Sequence, residues 1–181
     1  MANYHKMKTV ENMDQDRYNE MNENLISFHK QFNYDDNDRA IVISGMSFID
    51  DLLLNILESF FPDKSNTVDN LLSHRGALGT YGTRVDIIYC LGFIDKVIKS
   101  DLDILGQIRN KFAHKLNVSF DDKDIKQLCL KLKWHEIFMF MKAPEGATSK
   151  EIFQVGLNTI VSHLNGLPGI ARNQKRQLKT N

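Results

Sequence analysis

Residues 101–116 read Asp-Leu-Asp-Ile-Leu-Gly-Gln-Ile-Arg-Asn-Lys-Phe-Ala-His-Lys-Leu. The pattern predicts a helix. Ser100 stands where an N-cap is wanted, Asp103 follows at the capping-box spacing, and the first turn is acidic. At ~100° per residue, Ile104, Leu105, Ile108 and Phe112 share one apolar sector. Asp103, Gly106, Asn110, Ala113 and His114 share the opposite one. That face is small and polar where a solvent face is usually bulky and charged. Asn110 and His114, at i and i+4, lie one above the other, and Arg109 flanks both faces. The helix is therefore expected to need two neighbours: its own core on one side, and a second helix or subunit on the other. The plainer reading is an ordinary helix end, because His and Lys in the last turn suit the helix dipole.

The helix-forming apolar residues Met, Leu, Ile and Phe outweigh Val and Thr, and the 181 residues contain only three prolines and ten glycines. That balance favours helices over many short strands. Hydrophobic residues make up 42% of the chain, enough for a real core. The 23 basic and 23 acidic residues cancel. Broad binding of DNA phosphates, which needs a basic excess, is not expected, so any nucleic-acid contact must be local. The cations that stand out are Arg172, Lys175, Arg176 and Lys179, in a final segment without acidic residues.

Cys90 and Cys129 both fall in apolar helical patterns and read as buried thiols in a reducing cytoplasm. Residues 1–23 are polar, with no secretory signal. No apolar run is expected to reach the ~20 residues of a membrane span.

Helical spacing of Tyr18, Met21, Leu25, Phe28 and Phe32 predicts an N-terminal helical arm, about Asp14 to Phe32. Asp38 caps the next helix, Arg39 to Phe61, which Pro62 stops. Apolar residues on most of its sides make it the central buried helix, with Asp50 and Asp51 on its narrow polar side. A short helix, Val68 to Leu72, and one from Thr80 to Leu91 with Gly92 as C-cap follow. A turn, Asp95 to Lys99, leads into the opening helix. Ser119 or Asp121 caps a helix from Asp122 to about Met141. Ser149 caps the last, to Leu164, with Gly166, Pro168 and Gly169 ending it. Three segments result: 1–36, 37–165, and a flexible basic tail, 166–181. The fold class is all-α, a single compact multi-helix bundle.

Several motifs fail on their context. Gly76, Gly79 and Gly82 follow no strand and precede no Gly-Lys-Ser/Thr element, so they shape a loop. His135-Glu136 lacks the second His of a zinc helix, and the six histidines have no ligand spacing. No nucleophile elbow occurs. Neither a metal nor a cofactor is expected. The nearest helix-turn-helix, Val68–Leu72 with Thr80–Leu91, has too long a connection and only Arg84 as a basic group on its second helix.

Three separated segments carry a resemblance. They are Asp38-Arg-Ala-Ile-Val-Ile-Ser-Gly-Met-Ser-Phe-Ile-Asp-Asp-Leu-Leu, Gly76-Ala-Leu-Gly-Thr-Tyr-Gly-Thr-Arg-Val-Asp-Ile-Ile-Tyr-Cys-Leu-Gly-Phe-Ile, and Ile108-Arg-Asn-Lys-Phe-Ala-His followed by Ser119-Phe-Asp-Asp. In order and spacing they resemble the mannitol operon repressor family of bacterial proteins, over roughly residues 25–165. The resemblance implies an all-helical fold and a part in transcriptional control of sugar-alcohol uptake. It brings no DNA-binding motif.

Arg109-Asn110-x-x-x-His114 is similar to the motif of HEPN domains, helical bundles that often dimerise. That second resemblance implies metal-independent RNA cleavage as an alternative. Arg109 would stabilise phosphate charge, His114 would move the proton of the attacking 2′-hydroxyl, and Asn110 would position them. The leading expectation is a cytoplasmic transcriptional regulator, not an enzyme, that works through protein contacts. Its expected partners are a second copy of itself, as a homo-dimer or larger homo-oligomer, and another transcription regulator. Asp103, Gly106, Asn110, Ala113 and His114 would form the interface. Direct DNA contact would be weak and depend on the tail. A dimerising adaptor without nucleic acid is the third class.

Overall fold

The computed structural model describes residues 23, 25–27, 30, 32, 37–63, 65–138, 143 and 145–178. The chain divides into two units, residues 1–34 and 35–181. In the first, Glu23, Leu25, Ile26, Ser27, Lys30 and Phe32 are helical. The rest of the expected arm, with Tyr18, Met21 and Phe28, lies outside the described residues. The second unit holds seven helices and, among the described residues, no strand.

Helix α1, Asp38–Phe60, is the centre. Its cap is Asn37, whose side chain accepts from the Ala40 N–H at 3.1 Å, and not Asp38. Asp38 instead accepts from the Phe120 N–H at 3.2 Å and pairs with Lys150 at 3.3 Å, which ties the start of α1 to two later segments. Ile41, Val42, Met46, Ile49, Leu52, Leu53, Ile56 and Leu57 are all buried. By length and composition α1 could cross a membrane, contrary to the expectation that no apolar stretch would. Its apolar residues belong to the core, against α7 above all and also α4 and α3.

Ser65 caps α2, Asn66–Leu72, and Thr80 caps α3, Tyr81–Cys90. At the end of α3, Gly92 takes φ +78°, which lets the Phe93 N–H reach back to Ile88 O at 3.1 Å. Cys90 is exposed, not buried, because α3 turns Arg84, Val85 and Ile88 inward and Cys90 falls off that face.

Helix α4 runs without a break over Lys96–His114. Ser100 is therefore not a cap. Asp95 takes that role, its carboxylate accepting from the Val97 and Ile98 N–H groups at 2.8 and 2.9 Å. Asp103 forms no capping box and pairs with Lys99 one turn earlier, at 2.6 Å.

The single helix expected over 122–141 is two: α5, Lys123–Cys129, and α6, Trp134–Ile137. The break has a visible cause. Asp101, fully buried in α4, accepts the Lys133 N–H on both carboxylate oxygens at 2.9 Å, which takes that amide out of a helical ladder. Leaving the helical course also lets both Leu132 and Trp134 bury. Met139 to Met141 lie outside the described residues.

Helix α7, Ser149–Asn173, starts at a capping box of Thr148 and Glu151, one residue before the expected cap. It does not stop at Gly166. Leu164, Leu167, Pro168 and Ala171 continue the buried stripe at helical spacing, and that burial carries the helix through Pro168. Proline in a helix interior costs about 3 kcal/mol, which local sequence alone does not offset.

Candidate functional site

The outward side of α4 gathers most of the residues singled out from sequence, and the structure treats them in two groups. Gly106 is buried under Tyr81 from the first turn of α3. A Cβ on Gly106 would stand 3.0 Å from Tyr81 Cε1. The Tyr81 hydroxyl donates to Leu102 O at 2.8 Å, and the Arg109 guanidinium lies 5.9 Å from the ring centroid, within cation–π range. Burial raises the phenol well above its ordinary value. The Asp103 and Asp50 carboxylates push the same way and Arg109 opposes them, so Tyr81 stays a protonated donor. A glycine on α4 and a tyrosine on α3 thus make a close helix contact within the chain.

Asp103 is exposed, but it is engaged within the chain. Lys99 joins it to Asp86, at 2.6 and 3.1 Å, and these bonds, Asp103's first, raise the lysine above its usual range. Asn110, Ala113 and His114 form the second group and are exposed at the C-terminal end of α4. Arg39 of α1 reaches this end from the other side. Its guanidinium donates to the carbonyls of Lys115 and Leu116 and so caps the helix C-terminus with a cation. Arg109 and His114 differ in setting: the first lies on the Tyr81 ring, the second faces solvent. Beyond them, Lys111 pairs with Asp124 at 3.1 Å and draws that carboxyl below its ordinary range.

The tail residues fall at the other end of the unit. Arg172 is in the last turn of α7. Lys175 pairs with Asp63 at 2.5 Å, and the Arg176 N–H donates to Phe60 O at 3.3 Å. These cations line a groove of about 470 Å³ with Pro62, Asp63, Gln177 and Leu178. The last turn of α1 has no basic residue of its own, so Lys175 and Arg176 bring positive charge to its carbonyl end. Lys179 lies outside the described residues. Among the described residues, no three His, Cys, Asp or Glu side chains are grouped to hold a metal.

Four groups that organise these sites were not singled out from sequence: Tyr81, Arg39, Asp101 and the pairing of buried Arg84 with half-buried Asp50. Arg84 Nη1 stands 2.9 Å from Asp50 Oδ1. Each works across a large sequence separation, and no local spacing marks it.

A family description, mannitol repressor, matches residues 22–160. No curated protein matches the chain. In fold the chain is similar to one in the MtlR–HPr complex from Escherichia coli, with TM-score 0.62 at 18% identity over 78% of this chain and 98% of that one. It is also similar to YggD from Shigella flexneri, described as a possible transcriptional regulator, with TM-score 0.60 at 17% identity over 77% and 98%. At these identities the two likenesses speak for the fold alone.

Proposed function

The chain belongs to the mannitol repressor family and is a transcriptional regulator of that type; from this premise we propose that it acts mainly through protein–protein contact. The observation that carries the proposal is the position of Arg84. α2 and α3 are the nearest thing to a helix-turn-helix, joined by the eight residues 73–80. Arg84, the one cation on α3, is turned inward to Asp50. The exposed positions of that helix are Gly82, Thr83, Asp86, Tyr89 and Cys90. A helix with an outward carboxylate and no outward cation is poorly suited to a major groove lined by phosphates.

Two partner classes fit. One is an HPr-like protein, as in the Escherichia coli complex that holds a chain of this fold. The other is a second transcription regulator that supplies the DNA contact. We assign the exposed Asn110, Ala113 and His114 to contact with another copy of the chain, because Asp103 and Gly106 are already engaged inside it. Direct DNA contact is a minor role of Arg172, Lys175 and Arg176, weak and steeply salt-dependent, because so few cations neutralise few phosphates. The place of action is the cytoplasm.

Calorimetric titration of the full chain with the HPr-like protein of its own organism tests the partner. Saturable one-to-one heat is expected. No heat at concentrations of tens of micromolar, with both proteins folded, would remove that partner.

A further inference from the structure

The last turn of α7 and the residues after it form one wall of the 470 Å³ groove. Pro62 and Asp63, just past the end of α1, form the other. Both walls are held in place by the fold. Burial of Leu167, Pro168 and Ala171 carries α7 on to Asn173 and so delivers Arg172 to the groove. The chain then turns back on α1: the Arg176 N–H donates to Phe60 O at 3.3 Å, and Lys175 Nζ stands 2.5 Å from Asp63 Oδ1. A backbone bond and an ion pair thus pin the segment after α7 to the end of the central helix.

The charge in this groove is one-sided. Arg172, Lys175 and Arg176 bring three positive charges and Asp63 one negative, which leaves two positive. The other lysine-rich groove, beside Lys111, Lys115 and Lys123, differs: Asp122 and Asp124 line it too, and Asp124 already holds Lys111. The Phe60 carbonyl, which would repel an anion, is covered by the Arg176 N–H, while the Arg176 side chain stays exposed. Gln177 adds an amide, and Pro62 and Leu178 add an apolar edge. The volume falls within the range of small-molecule sites, about 300–1,000 Å³.

We propose that this groove binds the doubly charged phosphate group of a small molecule, with Arg172 and Arg176 donating to the phosphate oxygens and Lys175 adding its charge. A phosphate monoester carries a charge of about −1.5 to −2 at neutral pH, which matches the two net positive charges of the groove. The planar guanidinium presents paired N–H donors that fit two phosphate oxygens at once. Walls already fixed by the fold lose little freedom when the ligand enters. A backbone phosphate of DNA carries one charge, and three cations neutralise too few of them to hold a duplex. Weak contact of the same residues with DNA is what such a site would give. The proposal stands whether or not a protein partner binds elsewhere on the chain.

The test is calorimetric titration of the full chain, in chloride buffer at physiological salt, with inorganic phosphate, glycerol 3-phosphate and diethyl phosphate. Saturable one-to-one heat is expected with the two doubly charged ligands and none with the singly charged diester. Tighter binding of glycerol 3-phosphate would make the ligand a monoester whose organic part rests on Pro62 and Leu178. Equal binding would make it free phosphate. Arg176→Gln is expected to weaken binding about tenfold with the unfolding temperature unchanged, and Arg176→Lys to recover part of the loss. Lys131→Gln removes the same charge on the turn after α5 and should bind as the parent does. No saturable heat with either doubly charged ligand at millimolar concentrations would overturn the proposal. So would undiminished affinity in Arg176→Gln, or a diester that binds as tightly as the monoester.

Discussion

Asp101→Asn is the sharpest probe of the packing around α4. Asp101 is 0% exposed, and burial pushes its carboxyl from 3.8 up to about 6, against the opposing pull of the Lys133 and Trp134 backbone N–H groups. A shift of about two units corresponds to roughly 3 kcal/mol of difference between the charged and neutral forms. The sign follows from linkage. The folded state holds this proton more tightly than the unfolded state, so the group favours folding most below the unfolded value of 3.8. That contribution falls as pH rises toward about 6 and is level above it. Asparagine keeps the shape and one acceptor for the Lys133 N–H but has no proton to lose. Urea unfolding of both proteins, from pH 4 to pH 8, is the assay. The stability of the parent minus that of the variant should fall by roughly 3 kcal/mol across the window and then stay flat. Groups common to both proteins cancel in the difference. Parallel curves, offset by a constant, would refute the reading of Asp101 as a desolvated anion.

Other changes test other contacts. Leu53→Ala and Ile56→Ala each leave a cavity in a fully buried part of α1 and should cost ~2–5 kcal/mol in chemical denaturation; unchanged midpoints would contradict the central role of that helix. Gly106→Leu must displace Tyr81, which its hydroxyl bond to Leu102 holds in place, and should destabilise the chain by ~1–3 kcal/mol. His114→Ala, at an exposed position, should leave stability within about 0.5 kcal/mol. Purified parent protein should not cleave single-stranded RNA. Cleavage lost in both Arg109→Ala and His114→Ala would instead establish the nuclease alternative.

The helical class and the central helix were legible in the sequence because they depend on local pattern. Ile41 through Leu57 repeat at helical spacing, and the glycine at 92 marks the turn where a left-handed residue is needed. The first error replaced one local signal with an earlier one; in the other two, contacts with distant segments overrode the local pattern. Ser100 and Asp103 make a plausible capping box, yet Asp95 caps first and nothing interrupts the helix after it. Pro168 between two glycines reads as a stop, yet Leu167 and Ala171 bury and the helix continues. Lys123 to Ile137 carries one helical stripe, but the Asp101 carboxylate, at least 20 residues earlier in sequence, claims the Lys133 amide and divides it.

The small face of α4 shows the limit in another way. Gly106 and Asn110 look alike on a helical projection. Only the structure separates the glycine packed under Tyr81 from the asparagine left exposed. The tail was legible as a run of cations and not as a structure, since the partners of Lys175 and Arg176 are Asp63 and the Phe60 carbonyl, more than 100 residues away.

The most direct test of regulation through partners is a mobility-shift measurement on the DNA upstream of the chain's own gene, with purified protein in the presence and absence of cell extract. The expected result is a specific shift that depends on the protein and forms only when extract is present. A tight, sequence-specific shift with the purified protein alone, persisting at physiological salt, would contradict it.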